Sequence, residues 1–555
     1  MRRLIVVLIC CVELMWPDLY AQSGEYIDDV IEYLGTEEGE ELISKPLALN
    51  QADRMELLAS GLFTSYQTAS IIDYRTRHGD ILSFTELSYV DGFDRRKVAL
   101  LQQFIILNSS DCPGRREIPD NLRNKLQMRG AVRMNAPSDI DWNYGTRYLL
   151  ETDSFSVTVS FSNSYDYSEA YPSAISGNAV YKYSNGKIVL GDFNARFGQG
   201  LCLWNTMTLG GYTSPSAFMR RPSGLSPTFS FTGSSALTGV CADYNFRKWI
   251  VSTLLALPEI KSLKKVTDMV TFLPALNLTR YGSNGHFSFT QLCQPGDMKT
   301  SLDVALCFNG VNLYGEAVMT WMRMMPAATL GLDFPVTDYL RLASLIRYLP
   351  MSGVYGAAVS GEYVGKVLTG QFSADYEYYT ESKAKDASLS MQLKMQTSWV
   401  WNLTENLALK FRISERLRSW GNPLKTQLRA DVSYSGEFWF GCMRMDFLKY
   451  EDYAIAGYVE SGYKWKYVSV FLRQGLFRID DWDDRIYIYE RDAPGNYTVP
   501  AFYGRGLWTS TYVSLKPTGN LSLYLRASYI TYPFMEAQKK KPDRVELKLQ
   551  CALRF

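Results

Sequence analysis

Histidine is scarce in this chain, because 555 residues include only His78 and His286. Neither histidine has a serine or acidic partner that the sequence identifies, and a hydrolase of the serine–histidine type needs one. CxxC pairs are absent, and the cysteines beyond residue 21 are scattered, so neither a disulfide framework nor a zinc site is predicted. We therefore expect no enzyme activity and no cofactor.

Long hydrophobic runs are also missing. No segment offers roughly eighteen uninterrupted apolar residues, so the sequence predicts no membrane-spanning helix. The chain starts with basic Arg2 and Arg3 and a short apolar core that ends at Val12, and Ala21 fits a cleavage site. Residues 1–21 are predicted to be a signal peptide, which would leave Gln22 as the mature N-terminus of an exported chain.

The last segment, residues 545–555, alternates apolar and polar side chains and ends on Phe555. A period of two over about ten residues is typical of a strand with one face in lipid and one in water. A half-buried strand of a soluble protein is the alternative. The terminal aromatic residue resembles the signal read by the bacterial barrel-assembly machinery, which implies that machinery as a partner during biogenesis and outer-membrane lipid as the surroundings.

Similar alternation continues from Asn124 to the end of the chain, with turn signals such as Asn185-Gly186 and Asn309-Gly310 between segments. The predicted fold is mainly β: a large antiparallel transmembrane barrel over residues 124–555 with about 24 strands, and a range of about 22 to 26. Aromatic residues make up 14% of the chain, which suits the interfacial girdles of such a barrel. Basic residues on the polar face suit a water-filled lumen, and three are predicted pore-lining residues: Lys410, Arg412 and Arg429.

Two long connections interrupt the alternation, from Asn194 to about Ala236 and from Phe477 to Arg505. Long loops in a compact fold are usually functional or disordered, so each is expected on the extracellular side or folded into the lumen. The first is interpreted as a constriction or lid, with a passive surface loop as the alternative; its candidate residues are Arg196, Gln199, Arg220 and Arg221. The second carries an acidic cluster that is a weak calcium candidate, or else a solvated loop: Asp480, Asp481, Asp483 and Asp484.

Residues 22–108 lack the two-residue alternation and are predicted to form a periplasmic helical domain, with an acidic segment at 22–46 and helix-hairpin-helix units at 47–108. A linker is predicted at 109–123. Helices are predicted from Leu47 to Leu58, with Asn50 as the cap, from Ala69 to Arg77, and as a pair between Phe84 and Phe104. The segments Leu49-Asn-Gln-Ala52, Ile71-Ile-Asp-Tyr-Arg75 and Ile81 through Phe84 to Leu87 resemble the tandem helix-hairpin-helix module of the competence protein ComEA.

The resemblance implies DNA-phosphate binding by glycine-containing hairpins. The first glycine of each hairpin is kept, and Phe63 and Asp94 stand where the second would be. The implied DNA-binding residues are Gly61, Gly92, Arg75, Arg77, Arg95, Arg96 and Lys97. Residues 22–108 carry a charge near −8, whereas DNA-binding modules are normally basic. A degenerate scaffold that docks a periplasmic protein is therefore the favoured alternative.

The charge of the remaining chain is near +9, because the whole chain carries +1. A positive barrel beside a negative domain suggests electrostatic docking at the periplasmic mouth, or a plug. Barrel and domain together resemble helix-hairpin-helix outer-membrane proteins of Bacteroidota, in the stretches 191–201 and 486–490. Three function classes stay open: a channel or passage component, a DNA-uptake component, and a non-conducting assembly scaffold.

Overall fold

The structure is a computed structural model of the chain. It describes residues 46–52, 54–93, 98, 101–102, 104–107, 122–136, 139–152, 154–163, 171–205, 211–228, 231, 235–257, 272–282, 284–294, 296–337, 339–365, 367–380, 390–404, 406–419, 422–496, 498–536 and 541–555. The predicted signal peptide, most of the acidic segment and most of the linker lie outside these residues.

The described residues of the N-terminal part include three helices and a two-stranded parallel sheet. The helices are α1 (Arg54–Ala59), α2 (Ser65–His78) and α3 (Phe84–Leu87), and β1 (Leu47–Ala48) pairs with β2 (Ile105–Ile106). Thr64 and Gln67 form a capping box that satisfies the free N–H groups at the start of α2. Leucine, isoleucine and phenylalanine side chains, among them Leu57, Phe63 and Ile71, form the buried core of this part.

The predicted start of the first helix was wrong. Leu47 and Ala48 are extended, and α1 begins only at Arg54. Asn50 does not cap a helix, because its side-chain amide exchanges two hydrogen bonds, of 2.9 Å each, with the backbone of Ile81. The prediction of α2 was correct, and the last predicted helix lies partly outside the described residues.

Twenty-four strands of the described chain close into one antiparallel barrel, as the alternation predicted. Those in the first half are β3 (Arg123–Ala136), β4 (Asp139–Glu151), β5 (Phe155–Ser162), β6 (Ala174–Tyr183), β7 (Gly186–Arg196), β9 (Leu237–Phe246), β10 (Trp249–Leu257), β11 (Leu273–Gly282), β12 (Gly285–Gln294), β13 (Asp297–Phe308), β14 (Val311–Thr320) and β15 (Met325–Thr337). Those in the second half are β16 (Leu340–Leu349), β17 (Val354–Val364), β18 (Leu368–Tyr379), β19 (Met391–Asn402), β20 (Leu407–Arg418), β21 (Lys425–Ser435), β22 (Trp439–Lys449), β23 (Tyr453–Lys464), β24 (Val468–Ile479), β27 (Gly504–Leu515), β28 (Leu521–Thr531) and β29 (Arg544–Arg554).

Three short strands lie in the long connections: β8 (Gly224–Pro227), β25 (Ile486–Tyr487) and β26 (Ala501–Phe502). The barrel closes where β29 pairs with β3, and Asn124 and Phe555 exchange two backbone hydrogen bonds of 2.9 and 3.0 Å there. Both ends of the barrel segment therefore lie at the same rim.

Short turns connect the strands at that rim, which we call the tight-turn end. Between β13 and β14 the turn is Asn309-Gly310, and both residues have positive φ, of 49° and 79°. Positive φ at both positions matches the right-handed twist of the flanking strands, which is why Asn-Gly is favoured in two-residue hairpins. The long connections lie at the opposite rim, which we call the loop end.

The outer surface of the barrel is apolar and exposed. Leu302, Ile346 and Leu472 are each more than half exposed, while the polar residues that alternate with them point inward. Exposed aromatic residues lie at both ends, with Trp249, Trp401, Trp439 and Tyr434 among those at the tight-turn end and Tyr348, Tyr378, Tyr453 and Trp321 among those at the loop end. An apolar band between aromatic girdles on a closed barrel is the architecture of the bacterial outer membrane. None of the described helices is long and apolar enough to cross a membrane.

Candidate functional site: the narrowed lumen

The lumen is partly filled by loop A, defined as residues 197–236 between β7 and β9. Its first turn is fixed to the wall by Glu316 of β14, which is 3% exposed. One carboxylate oxygen accepts the backbone N–H groups of Gln199 and Leu201 at 2.7 and 2.9 Å. The other accepts the Cys202 N–H at 3.0 Å and the Ser301 hydroxyl at 2.7 Å. A single buried carboxylate thus receives four donors and ties the loop to the wall at β14.

Glycine is required where loop A meets this carboxylate. Gly198 has a φ of 61°, and a Cβ atom there would lie 2.8 Å from the Glu316 carboxyl group. The same approach encloses the neighbouring Cys202, and burial raises the pKa of its thiol to about 12, with a further contribution from Glu316. The thiol is therefore protonated and unreactive at neutral pH as long as the loop stays in place.

Loop A reaches two further parts of the wall. Tyr212 lies under the Arg347 guanidinium at 4.6 Å, and Phe218 packs among Ala343, Leu345 and Ala358 of β16 and β17. On the other side, Phe231 accepts hydrogen bonds at its carbonyl from serines of β5 and lies 3.9 Å from the Arg129 guanidinium of β3. The loop therefore spans the lumen from wall to wall.

The four candidate residues of this loop lie at its base. Gln199 exchanges hydrogen bonds of 3.0 and 3.4 Å with the backbone of Arg220. Arg196 and Arg220 both lie over Trp204, at 6.0 and 5.4 Å from the ring centre. Arg221 is the next residue in the chain after Arg220, and its side chain is half-buried. Together they stabilise the folded loop, and their role in a constriction stays a prediction.

Loop B, defined as residues 480–503 between β24 and β27, covers another sector of the lumen. Its Glu490 is fully buried and pairs with Arg526 of β28. Arg491 pairs at 2.9 Å with Glu460 of β23, and Asp492 receives Lys548 of β29 at 2.8 Å. Three consecutive charged residues are thus held by three different strands.

Loops A and B meet at Arg129. This residue of β3 donates to the Asn496 side chain in loop B at 3.1 Å while its guanidinium stacks on Phe231 in loop A. One wall side chain therefore links the two loops across the lumen.

The acidic cluster of loop B has protein partners. Arg505 donates two hydrogen bonds to Asp480, and these hold the pKa of that carboxyl below its usual range. Asp484 is fully buried and accepts the N–H groups of Glu451 and Asp452. Among the described residues no group of acidic, histidine or cysteine side chains could hold a metal ion. The calcium site therefore gains no support.

The helices contact the inner wall near the tight-turn end. Leu58 of α1 packs in a buried cluster with Ile250 of β10 and Tyr281 of β11, and Arg54 lies 5.5 Å from the Tyr281 ring centre. Glu56 approaches Lys182 of β6 at 3.6 Å. A small cavity lies between Leu58, loop A and the wall, and it is lined mainly by polar residues.

The hairpins that the resemblance implies for DNA binding have few hydrogen-bond donors left for a phosphate. The N–H groups of Gly61 and Leu62 donate to the Leu58 carbonyl and the Ser60 hydroxyl. The Arg75 guanidinium donates to the carbonyls of Leu49 and Ala52. Gly92 keeps a positive φ of 85°, but Tyr66 packs against it. Arg77 pairs with Asp73 on the exposed surface, and Arg95, Arg96 and Lys97 lie outside the described residues, so DNA binding stays a prediction.

The expectation that His286 has no acidic partner was wrong. Its Nε2 atom lies 2.8 Å from the Asp303 carboxylate on the neighbouring strand, and both side chains are buried. The register of β12 and β13 brings them together, and no local motif in the sequence reports that pairing.

The predicted pore-lining residues occupy a different sector, the lumen face of β19–β22, which we call the basic sector. Lys410, Arg412 and Arg429 are each partly exposed there. In contrast, the inward side chains of β10–β12, such as Asn277 and Ser288, are buried. The basic sector around Lys410, Arg412 and Arg429 is therefore a part of the described wall that loops A and B leave accessible to solvent.

Comparison with solved structures finds other barrels. The P pilus usher PapC translocation pore matches with a TM-score of 0.40 at 8% identity, over 78% of this chain and 99% of that chain. The copper transporter OprC has a TM-score of 0.39 at 8% identity, over 79% and 81%. OccK3 (OpdO) of Pseudomonas aeruginosa has a TM-score of 0.32 at 12% identity, over 78% and 96%. No protein-family model matches the chain, and no curated protein matches it.

Proposed function

We propose that this protein is an outer-membrane passage protein whose lumen is narrowed by two internal loops. The observation that carries the proposal is the accessible basic sector beside loop A, which Glu316 holds against the wall through four hydrogen bonds. A wall that served only as a scaffold would not need a charged, solvent-accessible strip inside it. An ordered loop that narrows a wide barrel sets the size of the solutes that pass.

The helical part is proposed to cover one side of the tight-turn mouth from the periplasm and to act as a partial gate. Support comes from Leu58, which packs on inward-facing wall residues, and from Arg54 beside Tyr281. The helices contact β11–β13, which lie well away from the basic sector around the barrel. The cover would therefore restrict the mouth without closing the accessible strip.

Single-channel recording of the purified full-length chain in a planar bilayer tests this function. We expect discrete conductance steps for the wild type and larger steps for Glu316→Gln, which weakens the hold on loop A, and for Leu58→Glu, which weakens the cover. If none of the three proteins conducts while all remain folded, the passage function is wrong and a non-conducting scaffold takes its place.

A further inference from the structure

The basic sector is strongly unbalanced in charge. Its four strands point two acidic side chains into the lumen, Asp431 and Asp446. Against them stand eight basic side chains on the same faces: Lys394, Lys410, Arg412, Arg416, Arg418, Lys425, Arg429 and Arg444. This excess accounts for much of the positive charge expected of the barrel.

The strand register divides these residues into rows. Near the tight-turn end, Lys410 stands opposite Asp431, which also pairs with Arg444. In the middle, Arg429 pairs with Asp446 at 2.8 Å. Arg412 stands opposite Arg429, so each of these two rows contains one carboxylate against two cations.

The next row toward the loop end is different. Register pairs Lys394 with Arg416, and Arg416 with Lys425, so three cations lie side by side on three strands. Like charges directly opposite each other destabilise a sheet. Lys394 is exposed, and the other two are partly exposed. We call this set the cationic row.

Carboxylates lie near the cationic row, but those described do not form ion pairs with it. Asp375 faces Lys394 from β18, but it is held by Arg347 in an ion pair. Lys425 donates to the backbone carbonyl of Asp483 in loop B and lies 5.4 Å from the Tyr450 ring centre, and the Asp483 and Asp484 side chains attract it from a longer distance. Within the described residues no carboxylate forms an ion pair with Lys394, Arg416 or Lys425. The row therefore presents Lys394 and Arg416, with their donors, to the accessible lumen, beside Lys425 at the edge of loop B.

We propose that the cationic row is a binding site for small oxyanions, carboxylates or phosphates, and that it makes the passage anion-selective. The inference rests on the proposed passage function and names its substrate class. An anion that enters from the loop end would meet the cationic row first, and then the rows of Arg429 and Lys410, which each contain one carboxylate against two cations. Repulsion among the three cations, which the empty row must bear, is relieved when an oxyanion binds.

The test is the reversal potential of the full-length channel in a potassium chloride gradient, without and with inorganic phosphate. We compare the wild type with a triple variant, Lys394→Gln, Arg416→Gln and Lys425→Gln. A unit charge at about 4 Å changes the local concentration of an ion about fivefold in water, so we expect the chloride-to-potassium permeability ratio to fall at least about fivefold. The matched control removes three exposed lysines from the tight turns: Lys248→Gln, Lys466→Gln and Lys516→Gln.

Inorganic phosphate should reduce the chloride current of the wild type and of the control, but not that of the triple variant. Arg416→Lys, which keeps the charge, should behave as the wild type. A conducting wild type without anion preference, or a triple variant with unchanged selectivity, would overturn the anion site and leave the passage function standing. Absence of conductance in the wild type, Glu316→Gln and Leu58→Glu would overturn both.

Discussion

Replacing Glu316 by glutamine should release loop A from the wall of the barrel. The glutamine keeps one carbonyl oxygen and replaces the other with an amino group of nearly the same size. That amino group would face two backbone N–H groups, which are those of Gln199 and Leu201 if the retained oxygen stays with Cys202 and Ser301. Donor would then meet donor at two of the four contacts.

The size of the effect follows from those two contacts. A buried donor left without an acceptor costs about 1–3 kcal/mol, so the folded loop should lose about 2–6 kcal/mol. Since about 1.4 kcal/mol is a factor of ten, the ratio of wall-bound to released loop should fall by a factor on the order of 30 to 10,000. Even the lower value should give a measurable population of released loop.

Cys202 reports this release directly. Its thiol is buried and its pKa is raised to about 12 by burial, so a membrane-impermeant maleimide should label it slowly at pH 7.5 in a chain that keeps this cysteine alone. Glu316→Gln should raise the labelling rate in proportion to the released fraction. The matched control is Asp333→Asn, which removes a lumen carboxylate paired with Arg341 of the wall. Equal labelling rates in the wild type and in Glu316→Gln would refute the anchoring of loop A.

Three further outcomes are expected. Leu58→Glu should free the helical cover and raise its protease sensitivity without loss of the heat-stable barrel. Leu82→Glu, at a side chain that is 70% exposed, should not raise it. Equal protease sensitivity of the two variants would argue against the contact between Leu58 and the barrel wall. The Asp480 pKa is lowered by Arg505, so the pair should stabilise loop B above about pH 4 and lose that effect as the pH falls through the lowered value; proteolysis of loop B against pH should show this step, and Arg505→Gln should reduce it to the part that Arg478, 3.6 Å from Asp480, contributes. The full-length chain should not bind a fluorescent DNA duplex at low salt, and anisotropy that rises with protein and falls steeply with salt would restore the DNA hypothesis.

Strand number and loop positions could be predicted because they depend on local pattern. The two-residue period in segments such as 407–418 reports which side chains face lipid, and it does so whatever the neighbouring strand is. A Gly-, Ser- and Pro-rich stretch broke the period at loop A, and an acidic cluster broke it at loop B. Closure at Phe555 followed from an even count of such segments.

The contacts inside the lumen could not be predicted, because they join residues that are far apart in the chain. Glu316 and Gln199 are 117 residues apart, and they meet only once every register between β7 and β14 is set. The same holds for His286 and Asp303, whose partnership depends on one hairpin register. Asn50 shows the opposite error: its local signal for a helix cap was sound, but Ile81 offered it two buried hydrogen bonds instead.

The seam between β29 and β3 also determines what happens when the chain ends early. Without β29, the free edges would belong to β28 and β3, and these two strands run in the same direction because each is antiparallel to β29. Their hydrogen-bonding groups would then have to form a slanted parallel ladder instead of the antiparallel ladder that joins the other neighbouring strands of the barrel. A chain that lacks its final strand should therefore leave an open edge in the membrane, and such edges invite pairing with other chains. The last eleven residues thus decide whether the polypeptide is a barrel or an aggregate.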